Sequence, residues 1–482
     1  MSAAITATLA GAPAQAAPNP KPVVETSTAV AAQALDEAQD VLSGKSSRDM
    51  TLALRELRQQ RDELSSTDQA AAARLLARPS ADRTTCFTRV CVHWSTSGTD
   101  GATAGWVDRV GAISDDVLAT YEDAGYRPPL SDGSRGGDGR LDIYLKNTGA
   151  GLYGWCDTDT APSDPGPYDT WAYCVLDNDY ADFPAHTPRE NLQVTAAHEL
   201  FHAVQFGYDY YEDSWFMEAT ATWAEDELYD GVNDNRQYLA ESPLAQPHRS
   251  MDHSSGMRVY GDWIFFRHLS ERFTAADGGL PSVVRDIWRN ADGSAGARDD
   301  YSIKAVARTL ADRGMPLRRV WARFANANRR PGATYDEGSA REYRPAPLAG
   351  RVTLSGSRRS VHRTQRIDHL ASATLRVDRA AGMTARRLRL RLDLPDVRRG
   401  SGVVATVYRT TGRPQTAPIG LSRRGNTTAS IDFGRDVRRV EVTLANAGIH
   451  YRCWRPADTG YSCRGRPQDD DLAFALRATA LR

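Results

Sequence analysis

Lysine is nearly absent from this 482-residue chain: only Lys21, Lys45, Lys146 and Lys304 stand among its 60 basic residues. The bias is that of GC-rich coding DNA, as in high-GC bacteria, and carries no chemistry of its own. No apolar run reaches the ~18 to 20 residues of a membrane span, which argues against membrane integration. No C-x2-C spacing occurs, so the cysteines do not read as a structural zinc cluster. A net charge of −1 argues against a dedicated nucleic-acid binder. Residues 17–80 hold neither cysteine nor any aromatic, too little to bury much by themselves.

What is present is unevenly distributed. Residues 351–482 carry 26 Arg and 11 acids, a net +15, which leaves 34 bases and 50 acids, a net −16, in residues 1–350. An acidic body is joined to a basic tail. Docking of that tail on the body is the simplest expectation, with an anionic cell-surface polymer as the other candidate partner. The six cysteines fall into near pairs, Cys86/Cys91, Cys156/Cys174 and Cys453/Cys463. Nearest-neighbour pairing would make three small clips, as suits an exported protein. Ala14-Gln15-Ala16 before Ala17-Pro18 reads as a signal-peptidase site, although no base precedes Lys21. The expectation is a secreted, extracellular protein.

Four parts follow along the chain: residues 1–16 as a signal peptide, 17–84 as a helical propeptide or arm, 85–345 as an α+β unit, and 346–482 as an Arg-rich β-sandwich. In the arm, Leu52, Leu54, Leu57 and Leu64 recur at helical spacing. It has no thiol to block a metal, so any inhibition by it is expected to be steric. In the third part, residues 90–94 and 141–145 read as strands and residues 105–121 as a helix. Residues 153–156 and 171–176 read as a hairpin closed by Cys156/Cys174, and residues 188–330 are mostly helical. Beyond residue 350, short strands are expected over residues 370–377, 387–394, 403–408, 429–433 and 437–444. Asp132, Asp138 and Asp142, and also Asp177-Asn178-Asp179, are candidate calcium ligands, but the EF-hand spacing is absent and surface turns are favoured. Asp209, Glu212 and Asp213 read as a solvated turn, and His268 as structural.

The strongest motif is His198-Glu199-Leu200-Phe201-His202. Thr187-Pro188-Arg189-Glu190 ahead of it is a capping box with Pro in the first turn, and Gly207 is a stop, which predicts a helix of about 19 residues. At i and i+4 the two histidines project from one face, close enough for one zinc, with Glu199 beside them. Two His leave a catalytic zinc short of a third protein ligand, with water in the fourth place. No H-x-x-G-x-x-H continuation follows His202. Residues 215–225 are a helical pattern with Glu218 and Glu225 on one face, and Glu218 is the nearer ligand candidate.

On these residues the chain resembles the gluzincin metallopeptidases, whose active helix carries H-E-x-x-H and whose next helix supplies a Glu. Trp215-Phe216-Met217-Glu218 followed by Glu225 is similar to the W-x-x-E helix of the aminopeptidase branch. There the first Glu binds zinc and the second supports a zinc ligand. That likeness covers about residues 188–275, its inter-helix loop is slightly shorter here, and no G-x-M-E-N exopeptidase motif is present. On His93-Trp94-Ser95-Thr96-Ser97-Gly98 and residues 197–205, the whole chain resembles poorly characterised secreted bacterial metallopeptidases. Val259-Tyr260-Gly261-Asp262-Trp263 matches the place where the related enzymes set a Tyr for the oxyanion, with His253 as a substitute donor.

The resemblance implies an α+β zincin-like fold with a helical second half, followed by the β-sandwich. It implies one zinc per chain on His198, His202 and Glu218, with Glu199 as general base, Tyr260 assisting and Glu225 orienting a zinc-bound histidine. The expected activity is hydrolysis of peptide bonds in a peptide or protein substrate, with the strand at residues 173–176 offering its edge to the peptide. The rival expectations are a catalytically silent surface or cell-wall binding protein that keeps its metal, and an exported zinc hydrolase of a non-peptide substrate.

Overall fold

The computed structural model describes residues 27–149, 151–453 and 459–482, so the expected signal peptide lies outside the described residues. The chain is α+β. It opens with three helices, α1 (Ser27–Leu42), α2 (Met50–Gln60) and α3 (Ser66–Leu75). Their Leu and Ala faces bury Leu35, Leu54, Leu57 and Ala72 against one another, with Trp155 of the body packed alongside. A segment without aromatics thus borrows one from its neighbour.

The body begins with a five-stranded sheet of order β1-β2-β3-β5-β4. It comprises β1 (Arg83–Cys86), β2 (Val90–Trp94), β3 (Leu141–Lys146), β4 (Gly154–Asp157) and β5 (Tyr173–Asp177). Strands β2, β3 and β5 run parallel, which requires a crossover, and α4 (Ala104–Asp123) supplies it between β2 and β3. Strand β4 returns antiparallel to β5 and forms one edge. The strand at residues 173–176 is therefore interior, paired on both sides, and the edge expected there belongs to β4.

Helix α5 (Pro188–Phe206) runs through the middle of the body. The capping box forms as expected: the Glu190 N–H donates to Thr187 Oγ1 at 3.3 Å and the Thr187 N–H to Glu190 Oε2 at 2.9 Å. From Asn191 to Phe206 the helix is buried almost all round, so it shows no amphipathic stripe. Sheet, α4 and α6 (Ser214–Leu228) enclose it, and Tyr121 of α4 donates to Ala197 O at 2.6 Å. The rest of the body is α7 (Arg258–Gly261), α8 (Trp263–Arg272), a small hairpin of β6 (Ala276–Asp277) and β7 (Leu280–Pro281), α9 (Ser282–Asn290), α10 (Ser302–Asp312) and α11 (Leu317–Ala327).

All three expected disulfides are formed: Cys86–Cys91, Cys156–Cys174 and Cys453–Cys463. The second joins directly opposed residues of β4 and β5, so the expected hairpin exists, although its second strand opens at Tyr173 rather than Trp171. This clip differs from a surface staple, because Cys156 and Cys174 are both fully buried in the body's core. Their sulfurs lie against the Glu199 carbonyl of α5, which ties the edge of the sheet to the helix that carries the motif.

The tail is two facing sheets around their own core. One has the order β13-β12-β15-β10-β8 and the other β14-β11-β18-β9. The strands are β8 (Gly350–Leu354), β9 (Ser360–Ile367), β10 (Ala371–Arg379), β11 (Arg387–Asp393), β12 (Ser401–Arg409), β13 (Gln415–Pro418), β14 (Asn426–Asp432), β15 (Val437–Asn446) and β18 (Leu472–Leu481), with β16 (Tyr451–Arg452) and β17 (Arg466–Pro467) as a separate pair. In β11 Leu388, Leu390 and Leu392 point inward while Arg387, Arg389 and Arg391 face solvent. Among the described residues, no helix is long and apolar enough to cross a membrane.

The tail docks on the body, and among the described residues none of its arginines pairs with a carboxylate of the body. Helix α11 lies on β12 and β15, where the Asn326 amide donates to Thr406 Oγ1 and Thr443 Oγ1 at 3.1 and 3.2 Å. The ion pair at this face is Arg329 of the body with Glu441 of the tail, opposite in sense to the net charges. The solvent-facing arginines of β11 lie on the other sheet.

Candidate metal centre

Helix α5 carries His198 and His202 one turn apart, and their Nε2 atoms face each other at 3.1 Å. Helix α6 packs alongside and brings Glu218, whose carboxylate lies 3.2 Å from His198 Nε2 and 3.5 Å from His202 Nε2. Each ring is held from behind. His198 Nδ1 meets Glu225 Oε1 at 2.6 Å, and His202 Nδ1 meets Gln205 Oε1 at 2.7 Å. The Gln205 amide is itself fixed, donating to Met217 O and Thr220 Oγ1 at 2.9 and 3.1 Å. With the back nitrogens donating to these oxygens, both Nε2 lone pairs point to a common centre.

The surrounding carboxylates favour positive charge at this centre. Burial opposes an imidazolium at both histidines, yet Glu218 with Glu225 at His198, and Glu218 at His202, raise both above the usual histidine value. Burial likewise opposes the Glu218 carboxylate, but the two rings bring it down to about 2. The cluster thus draws positive charge to its middle. One oxygen of Glu218 has no hydrogen-bond partner, which fits a metal ligand.

Glu199 follows His198 on the same helix, buried, with Oε2 unpartnered and its pKa pushed up by burial to about 8. A Cβ on Gly154 of the edge strand would meet the Glu199 side chain at 3.1 Å and Val175 O at 2.8 Å, so glycine lets the strand run close to this carboxylate. Tyr260, in α7, stands over the cluster with its ring 6.0 Å from that of His198 and stacked on Tyr238. His253 is elsewhere, paired with Ser255 and packed on Tyr461 of the tail.

One member of the site escaped the sequence reading. Asp49 belongs with His198, His202 and Glu218, all four being buried with one candidate ligand atom each within 4.8 Å of the others. Gln205 escaped as well, although its place three residues after His202 on one helix was a usable signal.

Other expected positions resolve differently. Asp132 and Asp142 both pair with Arg78, at 2.5 Å each, so a guanidinium stands where a calcium ion would be needed. Asp138 lies near the Cys86–Cys91 disulfide and pairs with Arg140. The Asp177 carboxylate accepts from the N–H groups of Thr148, Asp179 and Tyr180, as a turn does. The turn expected to be solvated is buried at Asp209 and Glu212. Glu212 accepts the Ser302 N–H that opens α10, and Asp213 accepts from Cys463 of the tail. His268 is structural, buried against Phe324 and Tyr335, and burial lowers its pKa to about 3.

No protein-family model matches the chain, and no curated protein matches it either. Among solved structures the chain is matched by the pre-peptidase C-terminal domain of a collagenase from Bacillus anthracis. The two are 10% identical over 28% of this chain and 97% of that one, with a TM-score of 0.17, too low to carry an argument.

Proposed function

We propose that the chain is a secreted zinc metalloendopeptidase of gluzincin type. The observation that carries this reading is the convergence of His198 Nε2, His202 Nε2 and the Glu218 carboxylate, with both rings anchored from behind by Glu225 and Gln205. Two nitrogens and a carboxylate oxygen are a donor set that suits zinc. Bound there, zinc would supply Lewis acidity to a scissile carbonyl and lower the pKa of a water towards ~7.

The chain's own residues supply the rest. Glu199, buried beside His198 with one carboxylate oxygen unpartnered, accepts a proton from the attacking water and hands it to the leaving amine. Tyr260 donates a hydrogen bond to the oxygen on which negative charge develops. Glu225 and Gln205 keep the imidazoles in register. Edge strand β4 offers its free side to an extended peptide, and Gly154 lets that strand run close to Glu199. The three disulfides fit an oxidising, extracellular compartment.

A second reading, the silent binding protein with a structural metal, has one observation in its favour: Asp49 gives the cluster four protein side chains, as structural sites prefer. The unpartnered Glu199 carboxylate weighs against it, because a structural site has no use for a base. A peptide-library digest with and without chelator separates the readings. It is run on the intact chain and after proteolytic removal of the N-terminal helices. Chelator-sensitive internal cleavage supports the peptidase; zinc without cleavage in either form supports the silent protein.

A further inference from the structure

Asp49 does not belong to the unit that carries the other three side chains. It sits ahead of α2, where Oδ1 caps the helix by accepting the Leu52 N–H at 2.9 Å. Its second oxygen, Oδ2, accepts from the Tyr260 hydroxyl at 3.2 Å. Three ligands leave a catalytic metal one place for water, and the carboxylate of Asp49 stands beside those three ligands.

The next turns of α2 cover the rest of the site. Thr51 Oγ1 accepts the Cys156 N–H at 3.0 Å, on the free side of edge strand β4, where an added peptide strand would take its hydrogen bond. Arg58 pairs with the buried Asp157 of β4 at 2.5 Å. Arg55, also buried, donates to Tyr210 O and Glu212 O in the loop between α5 and α6 and to Ser214 Oγ at the start of α6. From residue 49 to residue 58, the segment meets the His198-His202-Glu218 cluster, the Tyr260 hydroxyl and the edge of β4 together.

We propose that Asp49 is the fourth ligand of the metal in the intact chain, and that residues 27–76 are a latency segment that must leave before a substrate can enter. The inference rests on the peptidase reading for its purpose, but not for the ligand itself. Residues 80–82, which join the segment to β1 of the body, are all exposed and offer a place for the activating cut. A carboxylate does here what a thiol could not, since the segment has no cysteine.

Cobalt(II) in place of zinc gives a visible spectrum that reports the ligand set, and azide is a small anion that binds an open coordination place. Asp49→Ser keeps a good helix cap while removing the carboxylate, and Asp49→Asn keeps both cap and size should the first variant fold poorly. The intact chain should show no spectral shift with azide, and either variant should show one at concentrations at least 10-fold below any effect on the intact chain. An azide shift of equal size and midpoint in the intact chain and the variants would overturn the proposal and leave the peptidase reading standing. Azide binding confined to the variants, with no peptide cleavage after the segment is removed, would keep Asp49 as a ligand and remove the peptidase reading.

Discussion

The Tyr260 hydroxyl donates a 3.2 Å hydrogen bond to the carboxylate of Asp49, a residue 211 positions earlier in the chain. The contact joins the side chain proposed to stabilise an oxyanion to the one proposed to keep a substrate out.

In protein freed of its N-terminal helices, Tyr260→Phe should lower kcat roughly 10²- to 10³-fold, as loss of one oxyanion donor does. The zinc content should not change, because the hydroxyl stands outside the proposed ligand set. Steady-state kinetics beside metal analysis checks both halves.

Glu225→Gln removes the charge behind His198 without changing shape. Zinc affinity should fall roughly 10- to 100-fold, the usual cost of disturbing a group that orients a metal ligand. Competition with a chelator of known affinity measures it; affinity equal to the wild type would remove Glu225 from the account.

Docking of the tail should depend on pH through His369. Its ring lies between Asp252 of the body, at 2.8 Å, and Asp470, with Ser250, Tyr451 and Tyr461 around it. Burial works against the imidazolium, but Asp252 and Asp470 raise His369 to about 10, and despite burial the His369 charge brings Asp252 down to about 2. The histidine contribution is complete below the unfolded value near 6.5 and is lost as pH rises from there through about 10. The aspartate contribution is complete above 3.8 and is lost as pH falls towards 2. Thermal melts should therefore peak between about pH 4 and 6.5, and Asp252→Asn should flatten both flanks.

The arginine surplus of the tail does not hold it in place, since among the described residues those arginines form ion pairs only within the tail. Glu441→Gln strands Arg329, and because the pair is largely buried it should cost about 3 kcal/mol. Arg391→Gln, on the solvent-facing row of β11, should change stability by less than about 0.5 kcal/mol. Denaturant titration of the two variants decides between a specific interface and a general attraction.

Much of the fold was legible because its signals are local. The capping box and Gly207 fixed α5 to within a residue, and the Leu/Arg alternation of residues 387–393 marked β11. Cysteine spacing gave the Cys156–Cys174 pairing but not its depth, since burial under α5 depends on a helix that starts 14 residues after Cys174. Strand β9 buries only Val361 and Ile367 fully, and β18 reads as Ala-rich, so neither showed a strand pattern. The burial of the turn at Asp209 and Glu212 has no local signal, because Ser302 and Arg55, the partners of Glu212, lie far away in sequence. His198, His202 and Glu218 stood close enough on two helices for spacing to relate them. Asp49 lies 149 residues before His198 and had only a helix-capping role visible locally; its place in the cluster is a fact of tertiary packing alone.

If Glu199 makes this metal site a hydrolase, zinc content and peptide cleavage of Glu199→Gln beside the wild type, both freed of the N-terminal helices, will show it. About one zinc per chain is expected in each, and cleavage in the wild type alone. Cleavage persisting in Glu199→Gln at a comparable rate would contradict that role.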